Sequence, residues 1–87
     1  MEWNTFGVAE RLMRYVQIDT QSDPAATCFP STAKQLHLAQ LLEKELAAMG
    51  LANVHIDEHG YTHATIPSNT TKNVPVICFC SHIDTAP

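Results

Sequence analysis

The stretch VPVICFC, residues 74–80, is followed directly by SHIDTAP, residues 81–87, and these two segments decide the predicted fold. Residues 74–80 are apolar on both faces of an extended chain. Such a pattern is typical of a central strand that helices cover on both sides. A strand of this kind needs neighbouring strands and two helical layers, so we predict that it opens a larger α/β domain.

The segment 4–18 is predicted as a first helix. Its apolar residues recur at spacings of three and four, which gives one stripe formed by Phe6, Ala9, Met13 and Val16. Asn4 or Thr5 would cap the start of this helix. Glu10 and Arg14 are four residues apart and would pair on its exposed face.

The segment 33–49 carries the clearest helix signal. Thr32 and Gln35 have the spacing of a capping box, in which each side chain bonds the backbone N–H of the other residue. Gly50 has the position of the glycine that ends a helix in the left-handed conformation. Residues 19–31 are rich in turn-forming residues and are predicted as a loop. The apolar stripe of the helix consists of Leu36, Ala39, Leu42, Leu46 and Met49.

Residues 53–66 alternate between apolar and polar side chains on either side of a turn at Gly60, which predicts a β-hairpin. Within it, HIDEH at 55–59 matches H-x-x-E-H, which on a helix places two imidazoles on one face for a zinc-peptidase site. The flanking residues favour strands, so we interpret His55, His59 and His63 as exposed residues of the hairpin. A continuous helix over 55–63 would instead support the zinc motif.

The composition of the chain counts against several partners. With 87 residues and a net charge of −4, it offers one small domain and no basic patch for nucleic acid or an anionic membrane surface. Its apolar runs are too short to span a bilayer, and its start lacks a secretory signal. We interpret Cys28, Cys78 and Cys80 as reduced thiols of a cytoplasmic protein, with Cys78 and Cys80 on opposite faces of the strand.

Two polar side chains follow the predicted strand at its carboxyl end, where open α/β sheets bind ligands. His82 and Asp84 are two residues apart and share a face if the chain stays extended. A histidine that binds a metal usually donates its other N–H to a carboxylate or carbonyl, and this pair supplies both groups. The spacing alone is a weak signal, because three residues often match by chance.

Several segments together resemble the peptidase T family, the tripeptide aminopeptidases within the M20 metallopeptidases. The resemblance covers essentially the whole chain. It rests on RYVQIDTQS at 14–22, PST at 30–32 with Gln35, DEHGY at 57–61, and the run from Val74-Pro75 into SHIDT at 81–85. The segments 18–22 and 57–61 are specific to peptidase T-like sequences, whereas His-x-Asp-Thr is common to the wider group.

The resemblance implies a cytoplasmic, zinc-dependent exopeptidase that releases N-terminal residues from tripeptides. Residues 1–87 would be the N-terminal part of its α/β catalytic domain, with two helices, a β-hairpin and a central strand. His82 matches a ligand of one of two zinc ions, and Asp84 matches the catalytic-site aspartate that hydrogen-bonds this histidine. The other ligands and the general base are expected beyond Pro87, so the chain alone is expected to be inactive. A homodimer would form through a region outside this chain.

Two other interpretations stay open. Within the enzyme class, the chain also fits another M20 member, a dipeptidase or a carboxypeptidase. In a different class, it is a non-catalytic interaction module that has kept the opening segment of the family. The strand with two apolar faces counts against a free module, because a free module should cover that strand. Exposure of either face would also favour self-association or weak stability of the isolated chain.

Overall fold

The structure, a computed structural model, describes residues 7–87. Its elements in chain order are helix α1 (Val8–Tyr15), helix α2 (Gln35–Ala48), strand β1 (Ala52–Ile56) and strand β2 (Thr62–Thr65). The two strands form an antiparallel sheet. The predicted combination of two helices with a β-hairpin is therefore confirmed. Neither helix in this part of the chain is long and apolar enough to cross a membrane.

Helix α1 is shorter than the predicted segment 4–18 and begins after Gly7. The two candidate caps, Asn4 and Thr5, and the first stripe residue, Phe6, lie outside the described residues. No described residue of α1 is buried, and Met13 is 57% exposed. The described residues of the predicted apolar stripe therefore do not carry the packing of this helix.

Polar contacts connect α1 to α2. Arg14, which was predicted to pair with Glu10, donates from Nη2 to the Glu45 carboxylate of α2 at 2.8 Å. The Tyr15 hydroxyl donates to the other oxygen of the same carboxylate. Burial raises the pKa of Tyr15, and the hydrogen bond to Glu45 raises it further. One carboxylate thus holds the C-terminal end of α1 against α2.

Helix α2 carries the small core and packs on both strands. Leu38 is 6% exposed, Ala39 is fully buried, and the Ala39 carbonyl accepts a hydrogen bond from Thr62 Oγ1 at 3.2 Å. Gly50 follows the helix with a φ of 81°, as its predicted role requires. The exposed end of the predicted stripe, Met49, stays outside this core.

The predicted capping box does not form at the start of α2. The Thr32 hydroxyl accepts from Gln35 Nε2 at 3.0 Å, and the Gln35 N–H bonds the Thr32 carbonyl at 3.2 Å. The two side chains therefore bond each other, and the Thr32 hydroxyl donates its own proton to the carbonyl of Gln21 at 2.8 Å. Lys34 becomes the N-cap residue and makes no side-chain cap bond.

The hairpin turns at residues 57–61, and a single aspartate organises the turn. The Asp57 N–H donates to the Tyr61 carbonyl at 3.0 Å, and the Gly60 N–H donates to the Asp57 carbonyl at 3.0 Å. Asp57 Oδ1 also accepts from the N–H groups of His59 and Tyr61. Gly60 has a φ of 79°, which explains the glycine at this position. The alternative of a continuous helix over 55–63 is therefore wrong.

The predicted central strand at 74–80 does not form, and this part of the predicted fold class is wrong. Residues 73–80 carry no regular secondary structure, and Val76 and Phe79 are 96% and 94% exposed. A strand forms its hydrogen bonds with a neighbouring strand. Among the described residues the sheet consists of β1 and β2, and neither strand pairs with this segment. Its apolar side chains are left in water.

The cysteine geometry follows from the same irregular backbone. All three cysteines are free thiols, as predicted. Cys78 and Cys80, however, do not lie on opposite faces, because their Sγ atoms are 3.5 Å apart. The hydrogen bond with Cys80 raises the pKa of Cys78 and so disfavours its thiolate form. Because the thiolate is the nucleophilic form of a cysteine, this shift makes Cys78 less reactive.

Candidate functional site

His82 and Asp84 meet at the end of the chain, as their spacing predicts. His82 Nδ1 lies 2.9 Å from the Asp84 carbonyl oxygen and 3.1 Å from Asp84 Oδ1. Both of these atoms are hydrogen-bond acceptors, so the neutral ring carries its proton on Nδ1 and donates it to Asp84. The unprotonated nitrogen is then Nε2, on a side chain that is 84% exposed. This is the tautomer that a metal-binding histidine needs, with Nε2 left to coordinate the metal.

Thr85 ties this pair to the loop that precedes α2. The Thr85 N–H donates to the Thr20 carbonyl at 3.1 Å, and the Thr85 carbonyl accepts from the Ser22 N–H at 2.9 Å. The Ser22 hydroxyl donates to the same carbonyl at 3.0 Å. Gln21 and Thr85 thereby form an isolated parallel bridge. The residue next to Asp84 is therefore fixed to a segment that lies more than sixty positions earlier in the chain.

Sequence reasoning missed this bridge. Residues 19–31 were predicted only as a loop, and a single bridged residue pair has no periodic pattern from which it can be inferred. One signal was present, since the segment 18–22 is among those that carry the family resemblance. That resemblance says that these residues matter but does not say what they touch.

The loop is anchored to α2 by polar side chains. Lys34 pairs with Asp19 at 2.8 Å, and this hydrogen bond is the main reason that the pKa of Asp19 lies below its usual value. Asp19 Oδ1 also accepts from the Gln21 N–H at 3.0 Å. Gln35, only 8% exposed, bonds the loop as well, through Ser31 and Thr32.

The histidines of the H-x-x-E-H stretch lie on the hairpin and do not form a metal centre. His55 and His63 are partners across the strands, with parallel rings whose centroids are 4.7 Å apart. His63 Nε2 is bonded to Asp57 Oδ2 at 2.8 Å, and this bond is the main reason that the pKa of Asp57 is lowered. Within residues 7–87, no group of three or more His, Cys, Asp or Glu side chains is arranged to hold a metal ion.

Comparison with known proteins identifies close relatives of this chain. Peptidase T of Geobacillus thermodenitrificans is 55% identical over 78 residues, which is 90% of this chain and 19% of that protein. Peptidase T of Exiguobacterium sp. is 57% identical over 77 residues, or 88% of this chain and 19% of the relative. Peptidase T of Staphylococcus epidermidis is 52% identical over 80 residues, or 92% and 19%. No family model matches the chain.

The matches cover most of this chain but only a small part of each relative. The chain spans about a fifth of the length of the curated relatives it matches. The resemblance that was inferred from segments such as 14–22 and 57–61 is confirmed by identity that extends over nearly all of the chain. The chain is thus similar, over nine-tenths of its length, to an N-terminal segment of peptidase T.

Proposed function

We propose that residues 1–87 are the N-terminal part of the catalytic domain of a zinc-dependent aminopeptidase, which releases N-terminal residues from tripeptides in the cytoplasm. The observation that carries this proposal is the His82–Asp84 contact in a chain that is 55% identical to a peptidase T. The name of the relatives supports a peptidase, and the geometry of the pair supports a metal ligand with its carboxylate partner.

The two residues have different roles in this proposal. His82 would hold one of two zinc ions through Nε2, because Nδ1 donates to Asp84. Asp84 acts through His82: it fixes the tautomer, orients the ring and raises the basicity of the coordinating nitrogen. Bound zinc would polarise the scissile carbonyl and lower the pKa of a bridging water.

The chain by itself supplies too few groups for catalysis. Catalytic zinc takes about three protein ligands and a water. Among the described residues, His82 is the histidine at the matched site, and no three-ligand group is present. We therefore propose that the remaining ligands and the general base belong to the longer protein, and that the 87-residue chain does not hydrolyse peptides. A homodimer would likewise form through a region outside this chain.

The alternatives make different demands on the longer protein. A dipeptidase or carboxypeptidase of the M20 group would keep both roles of His82 and Asp84 and differ only in its substrate. A non-catalytic interaction module would need neither residue. The exposed apolar segment 74–80 is compatible with a surface that binds a partner. The cleavage assay and zinc analysis described next therefore also test the interaction module.

The test is a tripeptide cleavage assay combined with zinc analysis of the purified full-length protein. His82→Ala should remove a zinc ligand and abolish most of the activity. Asp84→Ala should leave the ligand in place but poorly oriented, with a loss of about 10–100-fold in metal affinity or activity. His37→Ala, at an exposed position of α2, is the matched control and should keep both zinc and activity. Turnover by the 87-residue chain, or a fully active His82→Ala protein, would contradict the proposal.

A further inference from the structure

The His82–Asp84 pair is held to the rest of the described chain by the residue that follows it and not by the segment that precedes it. The segment before it, residues 73–80, has no regular structure and is exposed. Among the described residues, the backbone hydrogen bonds that tie residues 81–87 to the rest of the chain are those of Thr85 with Thr20 and Ser22. Where the pair sits relative to α2 therefore depends on how firmly the loop segment 20–22 is held.

Two hydroxyl groups hold that loop segment on either side of Ser22. The Thr32 hydroxyl donates to the Gln21 carbonyl at 2.8 Å. The Ser31 hydroxyl accepts from the Asp23 N–H at 3.0 Å. Both hydroxyls come from the residues just before α2, so the loop is fastened to the start of this helix.

A single buried amide orients both hydroxyls. Gln35 Nε2 donates to Ser31 Oγ at 3.1 Å and to Thr32 Oγ1 at 3.0 Å. Because Thr32 Oγ1 already accepts this bond, its own proton is directed to the Gln21 carbonyl. A buried amide that loses its partners is costly, so Gln35 and the two hydroxyls hold one another in place.

We propose that Gln35 is a positioning residue for the His82–Asp84 pair, which it does not touch. Its effect passes through Thr32 to Gln21, and from there across the bridge to Thr85, the neighbour of Asp84. Loss of the Gln35 amide frees the Thr32 hydroxyl, loosens segment 20–22 and lets Asp84 move away from His82 Nδ1. The consequence for zinc rests on the proposed function, whereas the consequence for the tautomer of His82 does not.

The first experiment uses nuclear magnetic resonance on the 87-residue chain. Gln35→Met keeps the size of the side chain and removes its donors, and Thr32→Val removes the hydroxyl that bonds Gln21. Gln40→Met, at an exposed position of the same helix, is the matched control. The readouts are hydrogen exchange at the Thr85 N–H and the ring nitrogen signals of His82, which report its tautomer.

The expected result is specific to the bridge. A lost hydrogen bond of about 1 kcal/mol corresponds to about fivefold faster exchange at the Thr85 N–H in Gln35→Met and Thr32→Val. The share of His82 rings that carry the proton on Nδ1 should fall in the same two variants. Gln40→Met should match the unmodified chain, and the hairpin amides should keep their protection in all variants.

Two results would overturn the proposal: unchanged Thr85 exchange in Gln35→Met, or an unchanged His82 tautomer in both variants. If Gln35→Met loses the protection of its hairpin amides, Thr32→Val decides, because it leaves the residues of α2 intact. In the full-length protein, Gln35→Met should lower zinc affinity and kcat with little change in KM. If no form of that protein binds zinc, the proposed function fails, and the tautomer and exchange results still decide the positioning role.

Discussion

Replacing Gly60 with alanine measures how tightly the hairpin turn packs against the rest of the chain. Gly60 has a φ of +79°, and a Cβ there would lie 3.0 Å from Leu36 Cδ2 and 3.2 Å from Pro30 Cδ. Gly50 has a φ of +81°, and a Cβ there would meet nothing within 4 Å. An alanine at either position would therefore meet the same backbone strain, and only the alanine at position 60 would also meet a steric contact.

The magnitudes follow from these two terms. A left-handed conformation costs an alanine about 1–2 kcal/mol, and the stiffer unfolded chain offsets about 0.4–1 kcal/mol of this. Gly50→Ala should therefore lower the free energy of unfolding by about 1 kcal/mol. At Gly60 the Leu36 tip can rotate away but the Pro30 ring cannot, and overpacking typically adds about 1–3 kcal/mol. Gly60→Ala should then cost about 2–4 kcal/mol in total.

Urea unfolding of the 87-residue chain, followed by far-ultraviolet circular dichroism at low concentration, measures both values. In a chain of this size each kcal/mol should also lower Tm by about 4–8 °C. Equal losses in the two variants would refute the tight contact of the turn with Pro30 and Leu36. An unchanged Gly50→Ala variant would refute the argument from backbone strain.

Three further predictions concern pH and association. The folded-state pKa of Asp57 lies below 3.8, so the pairing of Asp57 with His63 stabilises the hairpin above that pH. This stabilisation is lost as the pH falls through the lowered pKa. Asp57→Asn should therefore remove the acid dependence of hydrogen exchange at the hairpin amides. Because the pKa of Tyr15 is raised, its neutral phenol stabilises the fold below pH 10.0, and this contribution is lost as the pH rises through the raised pKa. Glu45→Gln should lower the pKa of Tyr15. An ultraviolet titration measures this change in a Tyr61→Phe background, which leaves Tyr15 as the one tyrosine of the chain. The 94% exposed Phe79 should promote self-association; Phe79→Lys should reduce it in sedimentation velocity, and a monomeric unmodified chain with a sharp, concentration-independent melt would contradict this prediction.

Much of the candidate site was within reach of sequence reasoning, because its central contact is local. His82 and Asp84 are two residues apart, and their side chains are 3.1 Å apart at the nearest nitrogen and oxygen. The family resemblance added their proposed roles. The contacts that hold the pair in place were not within reach, since Thr85 pairs with a loop far away in sequence. The sequence pattern around Gln35 predicts a capping box, not a buried amide that bonds two hydroxyls.

The sequence by itself determined helix α2, the hairpin and its turn. These elements depend on spacings within a few residues and on glycines at 50 and 60 that accept a positive φ. Only the tertiary structure decided the partner of Arg14, the bridge from Thr85 to the loop, and the state of residues 74–80. The physical reason is that a polarity pattern states which side chains prefer to be buried, whereas a strand or a bridge also needs a second segment close enough to supply its hydrogen bonds.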